Sequence, residues 1–217
     1  MAGLKCVLFD NDGTLVDTQD IILSSFHHTL KTCLGKDWPD EEILKLVGIP
    51  LSDQLPHFTD DSDKIAEMLL VYREHNKKVH DSGIKPYPNC REALLNMKDA
   101  GLILGVTTSK KKDMCERGLE ILNIRDVMQI VVGCDETEKH KPEPEPLLFT
   151  AKELGIEPGD CAYVGDAPFD VRAANSAGFT SIAEDWGMFK ASDLEPYSPD
   201  YICHNWLEVA DLAITLM

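Results

Sequence analysis

Two aspartates stand one residue apart directly after an apolar run near the start of the chain. Residues 6–18 read CVLFDNDGTLVDT, so Asp10 and Asp12 follow the run and Gly13 comes next. Two carboxylates this close repel each other, and each raises the pKa of the other unless a positive charge compensates. A bound cation or a nearby ammonium group would provide that charge, and the rest of the sequence offers candidates for both.

Further polar side chains follow apolar runs later in the chain. They are Thr108 and Ser109 in VTTSK, Lys141 in HKPEP, and Asp166 and Asp170 in VGDAPFD. Ligands of open α/β sheets bind outside the carboxyl ends of the strands. We therefore expect these side chains to converge with the paired aspartates in one crevice.

These residue types indicate chemistry on a phosphate with help from a hard divalent cation. Mg²⁺ prefers a few carboxylates together with water and phosphate oxygens, which makes Asp10, Asp12 and Asp166 candidate ligands, and Lys141 adds a second positive charge. In such a site one ionised carboxylate can attack phosphorus. A second carboxylate can exchange a proton with the leaving group and then with water.

Alternating strands and helices must position these residues. Short, nearly continuous apolar runs predict strands buried on both faces, and the amphipathic stretches between them predict helices. This alternation is typical of a doubly wound α/β fold with a parallel sheet. The predicted strands are 4–9, 102–107, 127–132, 161–164 and 180–183, and the predicted helices between them are 89–100, 111–122, 145–154 and 168–177.

One long region interrupts this alternation with helical patterns alone. These patterns lie at 18–34, 40–47 and 61–81, with the loop VGIPLSD at 47–53. We therefore predict a core of residues 1–15 and 85–217, with a helical cap of residues 16–84 inserted after the first strand.

The polar stretches resemble, in the same order, the four motifs of the haloacid dehalogenase-like (HAD) phosphohydrolases. DNDGTLVDT is similar to motif I, VTTSK to motif II, KPEPEP to motif III and VGDAPFD to motif IV. The resemblance covers nearly the whole chain and implies a Rossmann-like core. The inserted helices resemble the cap of the phosphoglycolate phosphatase-like branch, and SSFHHTL, YREHNKKVHD and KPEPEP look similar to HAD-type inorganic pyrophosphatases.

This resemblance implies roles for the carboxylates. Asp10 is implied as the nucleophile that forms an aspartyl-phosphate, and Asp12 as the general acid and base. The implied Mg²⁺ group comprises Asp10, Asp12, Asp166 and Asp170, with Asp170 acting through water.

The resemblance also implies how the substrate is held. Thr108, Ser109 and Lys141 are the implied phosphate-binding residues, and counting from Gly101 favours Thr108 over Thr107 as the phosphate-binding hydroxyl. The implied substrate is a small phosphorylated metabolite, with 2-phosphoglycolate or pyrophosphate favoured. We expect the first cap helix to overhang the crevice, so that His27 or His28 meets the outer end of a compact substrate.

Three other functions are weighed against a phosphatase. A phosphomutase of the same fold carries a basic residue in the cap loop, and VGIPLSDQL has none. A haloacid dehalogenase does not keep the second aspartate, so Asp12 argues against it. A non-catalytic phospho-acceptor module would lack the long helical insertion.

The amino-acid composition indicates which binding partners to exclude and which cellular compartment to expect. The 217 residues carry a net charge of -17, which argues against nucleic acid and anionic membranes. The seven cysteines are scattered and form no C-x-x-C pair, which favours a reduced, cytoplasmic protein. No apolar stretch approaches the roughly 20 residues that span a bilayer.

Overall fold

The computed structural model describes residues 3–217. Residues 1 and 2, which the predicted core includes, lie outside the described residues. The strands are β1 (Cys6–Phe9), β2 (Val16–Asp17), β3 (Lys85–Pro86), β4 (Ile103–Thr107), β5 (Ile130–Val132), β6 (Cys161–Gly165), β7 (Thr180–Glu184) and β8 (Tyr201–Cys203). The α-helices are α1 (Gln19–Leu34), α2 (Asp40–Leu44), α3 (Leu51–Gln54), α4 (Ser62–Gly83), α5 (Cys90–Asp99), α6 (Lys112–Ile121), α7 (Glu145–Leu154), α8 (Pro168–Ala177), α9 (Ala191–Leu194) and α10 (Trp206–Thr215).

Six of the strands form one parallel sheet in the order β5-β4-β1-β6-β7-β8. The register pairs Phe9 with Val106 on one side and with Val164 on the other, so the carboxyl ends of β1, β4 and β6 lie side by side. The predicted doubly wound α/β fold is confirmed, and the polar residues that follow these strands share one edge of the sheet.

Helices cover both faces of this sheet because successive strand residues point to opposite sides. Val7 and Phe9 of β1 pack into a cluster with Met97 of α5 and Trp206 of α10. Leu8, between them, packs on the other face in a cluster to which α7 and α8 contribute. Burial on both faces explains why the central strands are continuously apolar.

Helices α1 to α4 enclose an apolar cluster of their own, centred on Phe26, Leu30, Ile43 and Met68. The two-residue strands β2 and β3 pair antiparallel where the chain enters and leaves this helical region. Because its core is separate, we propose residues 16–84 as a cap domain and use the name cap for them below.

The sequence patterns missed the shortest elements and misjudged some ends. Strands β2, β3 and β8 have only two or three residues, too few for an apolar period to show, and α10 was not predicted. The strand predicted from residue 127 begins at Ile130, because Arg125–Val127 forms a 3₁₀ turn. Within residues 3–217, no helix combines the length and apolar character needed to cross a membrane.

Candidate active site

The first aspartate lies directly beyond the carboxyl end of β1. Asp10 is buried, and its N–H donates to the carbonyl of Val164 at 2.9 Å, which continues the pairing of β1 with β6. Gly13 has a φ of 90°, and a Cβ there would overlap the carboxylate of Asp166. Glycine at this turn therefore allows the carboxylates from two strand ends to approach each other.

Three buried carboxylates and one buried ammonium group meet at this edge. Asp10, Asp166 and Asp170 each offer an oxygen within 4.8 Å of the other two. The Nζ of Lys141 lies 3.0 Å from Asp10 Oδ1 and 2.6 Å from Asp170 Oδ1. The structure therefore brings these four residues together, as the sequence predicts.

Burial and mutual repulsion dominate the electrostatics of this group. Burial raises the pKa of Asp10 to about 6; the Lys141 ammonium opposes this rise, and the charges of Asp170 and Asp12 add to it. Burial and then the charges of Asp170 and Asp10 raise the pKa of Asp166 well above its usual value. Burial alone would lower the pKa of Lys141, but Asp10 and Asp170 raise it well above the ordinary range. One ammonium does not balance three carboxylates, so the donor set fits a further cation.

A fourth buried carboxylate, Glu184, ends β7 beside this group and was missed in the sequence. Thr14 Oγ1 lies 3.3 Å from Glu184 Oε1 and 3.5 Å from Asp166 Oδ1. The N–H groups of Trp186 and Gly187 donate to Glu184 Oε2 at 2.9 and 3.1 Å. Its position directly after the apolar run 180–183 could have identified it, because the other carboxylates were predicted from the same position at the carboxyl end of a strand.

Asp12 has a different position from the grouped carboxylates. Its carboxylate lines the adjoining cavity, where Lys110 Nζ lies 2.7 Å from Asp12 Oδ1 and Asn11 Nδ2 donates to the same oxygen at 3.0 Å. Among the described residues, the compact carboxylate group contains Asp10, Asp166 and Asp170 but not the Asp12 side chain. Asp12 thus lies near the first aspartate in sequence, with its carboxylate at the wall of the cavity.

The two threonines at the carboxyl end of β4 have different surroundings: Thr107 contacts the interior and Thr108 the cavity. Thr107 ends the strand, and its hydroxyl contacts that of Thr150 at 2.8 Å inside the core. Thr108 lines the cavity. Ser109 Oγ donates to the carbonyl of Gly48 in the cap loop at 2.7 Å. Of the two threonines, Thr108 has the position expected for a phosphate ligand.

Tyr163 of β6 links the threonine pair to the buried lysine. Its phenol donates to the carbonyl of Thr107 at 2.6 Å and accepts a hydrogen bond from Lys141 Nζ at 3.1 Å. Sequence reasoning missed this residue because a tyrosine inside the run CAYVG looks like an ordinary core aromatic.

A cavity of about 710 Å³ opens between this group and the cap. Asp10, Asp12 and Thr108 line its core side. The cap contributes the loop after α2 and one face of α4, with Tyr72, Arg73, Asn76 and Lys77 among the lining residues.

The expectation that His27 or His28 meets the substrate is wrong. His27 Nε2 pairs with Asp40 Oδ1 at 2.6 Å, and the ring of His28 stacks on that of His75 at 4.4 Å between centroids. Neither histidine lines the cavity, to which α1 presents Ile22 instead. The two histidines lie more than one helical turn beyond Ile22, and their partners hold them away from the cavity.

Comparisons with known proteins agree on one family. Residues 7–184 match the model of the haloacid dehalogenase-like hydrolases. The chain is 33% identical over 199 residues to the pyrophosphatase PpaX of Bacillus mycoides, covering 92% of both chains. A Clostridium perfringens protein that also bears the name PpaX is 37% identical over 209 residues, covering 96% of this chain and 97% of its own.

Solved structures share the fold along the whole chain. A haloacid dehalogenase-like hydrolase from Streptococcus pneumoniae is similar with a TM-score of 0.87 and 27% identity, covering 98% of this chain and 99% of its own. A structure described as a predicted phosphoglycolate phosphatase from Haemophilus somnus has a TM-score of 0.88 at 22% identity, with coverage of 98% and 99%.

Proposed function

This chain belongs to the haloacid dehalogenase-like hydrolases and is a phosphatase of that family, and we propose that it hydrolyses a compact phosphorylated substrate through an aspartyl-phosphate on Asp10. Pyrophosphate and 2-phosphoglycolate are the favoured substrates. The observation that carries the proposal is the buried group of Asp10, Lys141, Asp166 and Asp170 at the foot of a cavity that the cap encloses.

The carboxylate group is suited to Mg²⁺, which prefers a few carboxylates and leaves room for water and phosphate oxygens. Asp10 and Asp166 would hold the ion, with Asp12 and Asp170 as the further candidate ligands. When bound, the ion neutralises charge on the phosphoryl oxygens. The raised pKa values of Asp10 and Asp166, and the Gly13 turn that admits the Asp166 carboxylate, support the fit.

The chain's own residues account for the two chemical steps. A carboxylate oxygen of Asp10 attacks phosphorus, the bond to the leaving oxygen breaks, and Asp12 gives that oxygen its proton. Water then attacks the phosphorus of the aspartyl-phosphate, the bond between phosphorus and the Asp10 oxygen breaks, and Asp12 takes the water's proton. Phosphate leaves and the Asp10 carboxylate is regenerated. Thr108 and Lys141 are the residues we propose to hold the phosphoryl oxygens, because a hydroxyl and an ammonium group can both donate hydrogen bonds to them.

Phosphate release from four substrate classes tests this proposal. With Mg²⁺, kcat/KM is expected to be higher for pyrophosphate or 2-phosphoglycolate than for hexose phosphates and nucleotides, and excess chelator is expected to abolish turnover. Asp10→Asn removes the nucleophile and should abolish turnover, whereas Asp12→Asn should cost on the order of 10²–10⁴-fold in kcat.

Matched unfolding temperatures of the parent and both variants serve as the control for folding. A hexose phosphate turned over ten times better than either compact substrate would contradict the substrate assignment. Phosphate release by Asp10→Asn within a few-fold of the parent would contradict the mechanism.

A further inference from the structure

The cap side of the cavity carries two cations on one face of α4. Arg73 and Lys77 are four residues apart in this helix, and both line the cavity. Residues with this spacing lie one above the other on a helix surface. The two positive charges therefore face the same space as the catalytic aspartates.

Three cations line the cavity from the core side, Lys110, Lys111 and Arg117, and Lys111 is the one of the three without an ion-pair partner among the described residues. Lys111 directly precedes α6, and its charge and that of Arg73 both act on the thiol of Cys134. Burial and the charge of Asp135 raise the pKa of this thiol, and the two cations oppose the rise. Arg73, Lys111 and Cys134 all line this one cavity, so the two walls that carry the cations face the same space.

Arg73, Lys77 and Lys111 differ from their neighbours in having no carboxylate partner. Within residues 3–217, these three cations form no ion pair, although the protein carries 38 acidic residues against 21 lysines and arginines. The neighbouring cations are paired: Lys78 with Glu74, Lys110 with Asp12, and Arg117 with Asp81. The exposed Asp113 and Glu120 also line the cavity but are not ion-paired to the three cations.

We propose that Arg73 and Lys77, together with Lys111, form an outer anion subsite that binds the charged leaving group of the substrate. The inference rests on the proposed function and deepens it. This subsite selects substrates whose leaving group is itself a compact anion. Phosphate, the leaving group of pyrophosphate, is favoured over a leaving group that carries the single carboxylate charge of 2-phosphoglycolate. A guanidinium and two ammonium groups suit phosphate oxygens because charge-assisted hydrogen bonds are the stronger class.

Charge-neutral variants compared on two substrates test the subsite. Arg73→Gln and Lys77→Gln are each expected to raise KM for pyrophosphate about tenfold or more, since a lost hydrogen bond between charged groups costs roughly that factor. For phenyl phosphate, whose leaving group carries no second anion, KM should change less than twofold. Lys78→Gln is the matched control, because Lys78 is adjacent in α4 but pairs with Glu74 and does not line the cavity.

Binding without turnover gives an independent measurement. In an Asp10→Asn background with Mg²⁺, calorimetry should show that Arg73→Gln and Lys77→Gln weaken pyrophosphate binding about tenfold and leave inorganic phosphate binding within twofold. Equal weakening of pyrophosphate and phosphate binding, or no weakening of either, would overturn the proposal of this subsite. Hydrolysis of phenyl phosphate by the parent would show that the phosphatase activity and its Asp10 chemistry stand even then, whereas a parent inactive on every substrate would refute the proposed function separately.

Discussion

The hydroxyl of Tyr163 shows how one buried atom can position two parts of a site. A phenol has one proton, and Tyr163 donates it to the carbonyl of Thr107, so only its lone pairs remain for Lys141. Burial raises the pKa of this phenol well above its usual value, which keeps the proton in place. The peptide before Thr108 and the ammonium of Lys141 are thus held by the same oxygen.

Tyr163→Phe is expected to lower kcat about tenfold while KM changes less. The ring still fills its place, but Lys141 loses an acceptor and the Thr107 carbonyl loses its donor, a loss that costs about 1–3 kcal/mol for a buried group. Thr150→Val is the control, since it removes the hydroxyl contact to Thr107 without touching Lys141. Steady-state kinetics and thermal unfolding of both variants check this. An equal drop in kcat in both would show that the effect of Tyr163 is only structural.

At the scale of elements, local patterns predicted the sheet but not what faces the cavity from the cap. The strands leading to Asp10 and Asp166 are continuous apolar runs; the first ends at the predicted residue, Phe9, and the second one residue beyond the predicted end, at Gly165. Which face of α4 meets the cavity depends instead on how α1 packs against it, through contacts such as that of Phe26 with Tyr72 at 5.0 Å. The expected histidine contact is therefore wrong, and α4 lines the cavity with Lys77 among other residues.

The packing of α1 on α4 also predicts a pH dependence. Burial lowers the pKa of His75, and the charges of His28 and Lys78 lower it further. A histidine with a lowered folded pKa stabilises the fold above its unfolded pKa of about 6.5 and loses that contribution as the pH falls toward the folded value. We expect His75→Gln to flatten the fall in stability between about pH 7 and pH 5.

Urea unfolding of the parent and His75→Gln at steps through this range measures the difference. His204→Gln is the matched control, because the hydrogen bond that the His204 ring donates to the Asp185 carboxylate raises the pKa of His204. A raised pKa gives the opposite sign: the stabilisation is present below about pH 6.5 and is lost as the pH rises through the folded value. Parallel stability curves for the parent and His75→Gln would contradict the assignment.

At the scale of the whole molecule, a few contacts hold the cap over the sheet edge. Arg117 of α6 pairs with Asp81 near the end of α4, and Ser109 donates to Gly48 in the cap loop. Gly48 has a φ of 111°, and a Cβ there would lie 2.9 Å from the ring of Phe169 in α8. The cap loop therefore rests both on the loop that carries Thr108 and Ser109 and on the helix that carries Asp170.

Ser109→Ala tests whether this contact keeps the cap loop closed. Removing one hydrogen bond between neutral groups costs about 0.5–1.5 kcal/mol, which shifts a local opening equilibrium by up to roughly tenfold. We expect faster amide hydrogen exchange in residues 47–51 and a higher KM with kcat nearly unchanged. Ser52→Ala is the control, because the Ser52 hydroxyl bonds only the adjacent, exposed Asp53. A raised KM with unchanged exchange would instead assign Ser109 to direct contact with the phosphate, the role that its place in the sequence predicts.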